Sequence, residues 1–158
     1  MNHDDDTLRE ILQRTRTIAM VGVSLNENRP SYFVGRYLRL KGYRVLPVNP
    51  AYAGRQGFGA PVVASLKDLA GEPVDMVDIF RRSDQAGAVV DEALEHLLDS
   101  GLRTIWMQIG VINEAAAERA RAAGLDVIMN HCPKIEYQRL FGELRWAGFN
   151  TRVISSRL

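Results

Sequence analysis

A chain of 158 residues, 46% hydrophobic and 25% charged, suits one globular domain with a full core. A formal net charge of +1 provides no whole-molecule field for nucleic acid or a membrane surface, so charge recognition must be local. The single cysteine, Cys132, excludes an internal disulfide framework. It suits a reducing cytoplasm. The acidic start MNHDDDTL lacks the apolar stretch of a signal peptide, and no apolar run approaches the roughly 20 residues of a membrane span. The expectation is a soluble, cytoplasmic chain with one domain over 1–158.

Thr7-x-x-Glu10 has the form of a capping box, and Leu8, Ile11 and Leu12 recur at helical spacing within an N-terminal helix over 1–16. Ile18-Ala19-Met20-Val21 is an apolar run short enough for a buried strand. It runs into Gly22-Val23-Ser24, and a helical pattern starts at Ser31 and ends at Gly42. A buried strand, a glycine turn and a helix start form the arrangement that holds phosphate, because the helix presents unpaired N–H groups there. Residues 43–48 read as a second strand, in which Pro47 should loosen the pairing. Residues 51–61, with three glycines, read as a loop, and Ser65-Leu66-Lys67-Asp68 as one helical turn. A third strand over 74–80 carries Asp75 and Asp78, which a buried parallel strand tolerates best near its ends.

Ser83 is placed to cap the next helix, whose apolar stripe runs from Val89 and Val90 to Leu97 and Leu98 before Gly101 stops it. Residues 104–109 form a fourth strand, Asn113 caps an alanine-rich helix that runs to Gly124, and 126–129 form a fifth strand. Pro133 opens a last helix bearing Ile135, Leu140 and Phe141. The tail over 142–158 holds Trp146, Phe149, Val153 and Ile154. That is apolar enough to pack back on the domain or to join two copies as a homodimer.

Strands alternating with helices over short connections make βαβ units, hence a doubly wound α/β fold: a parallel sheet of about five strands with helices on both faces. Ligands of such sheets sit beyond the carboxyl ends of the strands, where strand order reverses. Those ends read Gly22-Val23-Ser24, Asn49-Pro50, Phe80-Arg81-Arg82, Gln108-Ile109-Gly110-Val111 and Asn130-His131-Cys132-Pro133-Lys134. The set is cationic and rich in donors, and it carries no acid. Ser24 stands where a dinucleotide fingerprint has its second glycine, and Asn49 stands near where the acid for a ribose hydroxyl belongs. Both count against NAD. A basic neighbourhood suits an adenosine ligand with an extra ribose phosphate, and NADP and coenzyme A both answer to that. Cys132, after a buried strand, reads first as an inert small hydrophobe, and its place before Pro133-Lys134 also offers a helix N-terminus that stabilises a thiolate.

The runs VGVS…RPSY, YRVLPVNP, VDIFRR, WMQIGV-NE and MNHCPKIE resemble the small stand-alone CoA-binding domain proteins. Their Rossmann-like fold is similar to the N-terminal domain of the succinyl-CoA synthetase α chain. The resemblance spans roughly 17–140. It implies that Gly22, Val23 and Ser24 hug a nucleotide diphosphate and that Arg29 and Ser31 contact phosphate. It further implies that Asn49 and Pro50 flank the adenosine 3′-phosphate, while Ile79, Phe80 and Arg81 line the path of adenine and pantetheine. The ligase's catalytic phosphohistidine lies in a later domain, so the resemblance implies the binding half of a ligase without the catalytic half.

The expected ligand is coenzyme A or an acyl-CoA. The expected role is that of a carrier, sensor or partner of an acyl-CoA enzyme. The competing readings are an NADP-linked oxidoreductase and an acyl-transfer component that works with a separate catalytic subunit. Arg82, Gly110, Asn130, Cys132 and Lys134 join the expected site as strand-end groups.

Overall fold

The computed structural model describes residues 3–142. Helix α1 (Asp5–Arg14) starts ahead of the predicted box. Asp4 takes the N-cap position without a side-chain cap bond, and the Thr7 hydroxyl donates back to its carboxylate at 3.5 Å. Asp5 and Asp6 in the first turn suit the positive end of the helix dipole, so charge opens this helix in place of a capping hydroxyl. Leu8, Ile11 and Leu12 are buried as expected.

Strand β1 (Thr17–Val21) is buried at every position, as a central parallel strand should be. Helix α2 (Pro30–Leu40) opens on Pro30, and Gly42 follows it at φ +100°. After strand β2 (Arg44–Val48), a hairpin of β3 (Gln56–Gly57) and β4 (Ala60–Pro61) occupies the expected loop. A short 3₁₀ turn, Leu66–Leu69, is closed by a capping box of Ser65 and Asp68. Strand β5 (Met76–Ile79), helix α3 (Ser83–His96), strand β6 (Thr104–Met107), helix α4 (Glu114–Ala122), strand β7 (Asp126–Ile128) and helix α5 (Pro133–Leu140) complete the alternation.

The main sheet has five parallel strands in the order β2-β1-β5-β6-β7. Outside β2, Val63 adds a single parallel bridge to Val48: its N–H reaches the Pro47 carbonyl at 3.1 Å, and its carbonyl accepts the Asn49 N–H at 2.9 Å. Counting that bridge, the order is that of a dinucleotide fold whose third strand has shrunk to one residue. Alternation along the strands separates two cores. Ala19, Val77 and Ile105 pack against α3 and α4, whereas Met20, Met76 and Trp106 pack against α1, α2 and α5. The Rossmann-like α/β reading therefore holds, and the order reverses between β1 and β5.

Three expectations need correction. Pro47 does not loosen the sheet: it stays in register with Met20, because its nitrogen faces the outer side of β2, where β1 needs no donor. Asp78 lies between Met20 and Trp106 in the middle of the sheet, with no exposure, rather than at a strand end. Asp75 does lie at the end, where it accepts the Arg16 and Thr17 N–H groups at 2.9 and 2.8 Å. Ser83 is not the cap of α3, since Arg82 holds that position. The Ser83 hydroxyl instead donates to the Gly110 carbonyl at 3.2 Å and accepts the Ile112 N–H at 2.9 Å, pinning the loop after β6.

Trp146, Phe149, Val153 and Ile154 lie outside the described residues, and the expected packing or pairing at the tail falls there. No helix among the described residues is long and apolar enough to cross a membrane.

Candidate functional site

Helices α2 and α5 both begin at the carboxyl edge of the sheet, on the same face. Between their first turns lies a cleft of about 640 Å³, directly over the β1–β5 reversal. Gly22, Ser24, Arg29, Ser31, Phe80, Cys132 and Lys134 line it, as the sequence leads one to expect. Two helix N-termini converging on one cleft place positive dipole ends where an anion would sit.

The turn after β1 is organised by contacts within the chain. Gly22 adopts φ +88°, and a Cβ there would stand 2.7 Å from the Phe80 carbonyl oxygen. The glycine thus lets β1 and β5 close on each other, with the Phe80 N–H bonded to the Val21 carbonyl at 2.8 Å. The Ser24 N–H donates to the Ser31 hydroxyl at 2.9 Å, and the Ser24 hydroxyl accepts the Asn26 N–H at 2.9 Å. Tyr52 closes the loop from the far side, its hydroxyl 3.1 Å from that of Ser24. This loop is preorganised.

Asn49 works as a clip. Its Nδ2 donates to the Val23 carbonyl at 3.0 Å, and its Oδ1 accepts the Ala51 N–H at 3.0 Å. Asn49→Ala would strand a buried carbonyl and free the turn, so urea unfolding should show a loss of about 1–3 kcal/mol. A change within about 0.5 kcal/mol would contradict the clip.

Several expected residues fall outside the cleft lining. Val23 and Ile79 are buried in the two cores. Pro50 is exposed and opens a 3₁₀ turn beyond β2. Arg81 lays its Cδ over the first turn, 3.3 Å from where a Cβ on Gly22 would stand. Arg82 is paired with Asp84 at 3.2 Å, away from the cleft. The Gly110 N–H donates to Asn130 Oδ1 at 2.7 Å, a clasp between the loops after β6 and β7. Asn130 sits at φ +61°, a left-handed conformation that asparagine tolerates well.

Besides the strand-end Ile109, the cleft has lining that the strand ends do not reveal. Phe33 and Arg36 come from the outward face of α2, opposite the buried Val34, Tyr37 and Leu38. Ile109 and Ile135 are large, exposed and apolar, and they form the other wall. A phenylalanine in the first turn of a helix, off its apolar stripe, is the signal in the sequence that points to the α2 pair Phe33 and Arg36. The Arg36 guanidinium lies 5.3 Å over the Phe33 ring. Neither Arg29 nor Arg36 has an acidic partner among the described residues.

At the floor, Cys132 occupies the N-cap position of α5. Burial pushes its thiol up, while hydrogen bonds from the Ile135 N–H, the Gln108 side chain and the Lys134 N–H pull the other way. Beneath it, burial holds the Asp78 carboxyl well above the ordinary aspartate range. Both Asp78 oxygens and Gln108 Oε1 are buried without a hydrogen-bond partner. Among the described residues, no group of three or more His, Cys, Asp or Glu side chains could hold a metal.

Residues 16–138 match the model of a protein family described as CoA binding domain. The chain belongs to that family. Every residue of the cleft lies inside the matched region. The uncharacterized protein YneT of Bacillus subtilis (strain 168) is 38% identical over 130 residues, covering 82% of this chain and 91% of its own. A Thermus thermophilus protein solved as cell-free ID.343 shares 38% identity at TM-score 0.76, covering 87% of this chain and 99% of that one. A more distant likeness, of fold alone, is to an acetyl-coenzyme A synthetase of Ca. Korarchaeum cryptofilum. Its identity is 22% and its TM-score 0.56, with 70% of this chain and 25% of that one covered. The family expected from the motif runs is therefore the family found.

Proposed function

We propose that this CoA-binding domain protein holds coenzyme A or an acyl-CoA in the cleft between α2 and α5. Its role would be that of a carrier, sensor or accessory of an acyl-CoA enzyme, without a catalytic centre of its own. The observation that carries the reading is the cleft's division into a cationic part and an apolar part. Arg29, Arg36 and Lys134 stand with two helix N-termini, which suits the phosphates of a nucleotide. Phe33, Ile109 and Ile135 offer an apolar wall, which suits a pantetheine arm and a short acyl group. The volume falls within the roughly 300–1,000 Å³ of small-molecule sites.

The geometry also weighs against a dinucleotide. Asn49, where an acid would take a ribose hydroxyl, is consumed on both sides by backbone partners. Ser24 fills the place of the second glycine and is tied to Tyr52.

Calorimetric titration with CoA, acetyl-CoA, NAD and NADP tests the reading. Micromolar CoA binding without NADP binding is expected. NADP binding alone would point to the oxidoreductase, and no heat with any of the four would end the nucleotide reading. Arg29→Ala should weaken CoA binding by about 1.5–3 kcal/mol, roughly 10- to 150-fold, through loss of a charge-assisted contact. Unchanged affinity would remove Arg29 from the site.

A further inference from the structure

We propose that Cys132 is a covalent acceptor for the thiol end of the ligand, forming a mixed disulfide with coenzyme A at the floor of the cleft. The inference rests on the CoA reading above and adds a chemical step to it.

Cys132 lines the cleft, and it is the only cysteine in the chain. It holds the N-cap position of α5, where the Lys134 and Ile135 N–H groups and the Gln108 side chain work against the effect of burial on its thiol. That set stabilises sulfur as negative charge develops on it. An independent feature of the same floor points to a ligand. Asp78 has no exposure, lies on the α5 face of β5, and leaves both carboxyl oxygens without a partner. Gln108, itself part of the lining, leaves its Oε1 unpaired as well. Buried polar atoms are ordinarily satisfied, so the orphaned Gln108 Oε1 in the cleft lining calls for a donor supplied from the cleft.

Burial gives the step its selectivity. Cys132 as a whole residue is only 4% exposed, so oxidants in bulk solution reach it poorly. A ligand seated by its phosphates brings its own sulfur to Cys132 at high effective concentration. The co-reactant is the symmetrical disulfide of coenzyme A. Cys132 Sγ bonds to one of its sulfurs and the sulfur–sulfur bond breaks. The second CoA leaves as a thiolate and takes up the proton that Sγ released. One disulfide is consumed and one is formed, so no further oxidant is needed.

Intact-mass spectrometry of the full chain treated with CoA disulfide tests this. A single adduct of one CoA, removed by dithiothreitol, is expected, and its mass locates it because no other cysteine exists. Cystamine at the same concentration should label roughly tenfold more slowly or worse, since it has no phosphates to seat it. Excess reduced CoA should slow the labelling. Calorimetric CoA binding with no adduct, or cystamine labelling as fast as CoA disulfide, would overturn the proposal while leaving the binding reading intact. Absence of CoA binding in the same calorimeter would remove both.

Discussion

Gly22→Ala is expected to cost about 3 kcal/mol of stability in the absence of any ligand. Two terms add. At φ +88° the left-handed conformation costs an L-residue roughly 1–2 kcal/mol. The new Cβ would also stand 2.7 Å from the Phe80 carbonyl oxygen, and backbone cannot swing aside as a flexible side chain does. Relief requires parting the ends of β1 and β5, where the Phe80 N–H meets the Val21 carbonyl. Urea unfolding of the ligand-free variant is the measurement. A loss below about 0.5 kcal/mol would mean that the strands close without needing this glycine.

The second expectation concerns Asp78. Burial raises its folded value above that of the unfolded chain, which titrates near about pH 4. Between those two values the folded protein binds one more proton than the unfolded chain. Stability therefore falls as pH rises through the window, by about 1.4 kcal/mol per unit, and levels off above the folded value. The Asp78→Asn variant carries no such proton. Unfolding midpoints of the two proteins, measured from about pH 4 to pH 8, should diverge in favour of the variant as pH rises. Parallel curves would show that the carboxyl ionises freely and that its isolation in the floor is not real.

Much of the fold is legible in the sequence because it rests on period and punctuation. Ile18-Ala19-Met20-Val21 is apolar on both sides of the sheet, Gly42 and Gly124 close their helices at positive φ, and Asn113 caps α4 through the Ala116 N–H. Expectation and structure part where a residue's tolerance depends on neighbours far away in the chain. Pro47 is harmless because β2 has only Val63 outside it, and strand order is not written in the strand itself. Asp78 is expected near an end because isolated buried charge is costly. Its oxygens are nonetheless buried without a partner, and the protonated form is what makes that bearable.

The site shows a similar division. Strand ends and helix starts identify one rim, so Gly22, Ser24, Arg29, Ser31, Cys132 and Lys134 come together as expected. Asn49, Asn130 and Ser83 carry the same polar chemistry, yet their groups are spent on backbone partners, which residue type alone does not reveal. Phe33, Arg36 and Ile135 escape a reading of strand ends because they lie on the sides of helices turned away from the buried stripe.

The single bridge at Val63 also governs how this sheet meets its surroundings. Positions 45, 47 and 49 are those whose amides face outward from β2. Pro47 has none, and Asn49 gives its own to Val63. Val45 is left as the one donor along that border. A strand from another chain seeking a ladder at this border would find a single rung, so the β2 edge of the sheet is guarded against edge-to-edge pairing by a proline and a one-residue bridge.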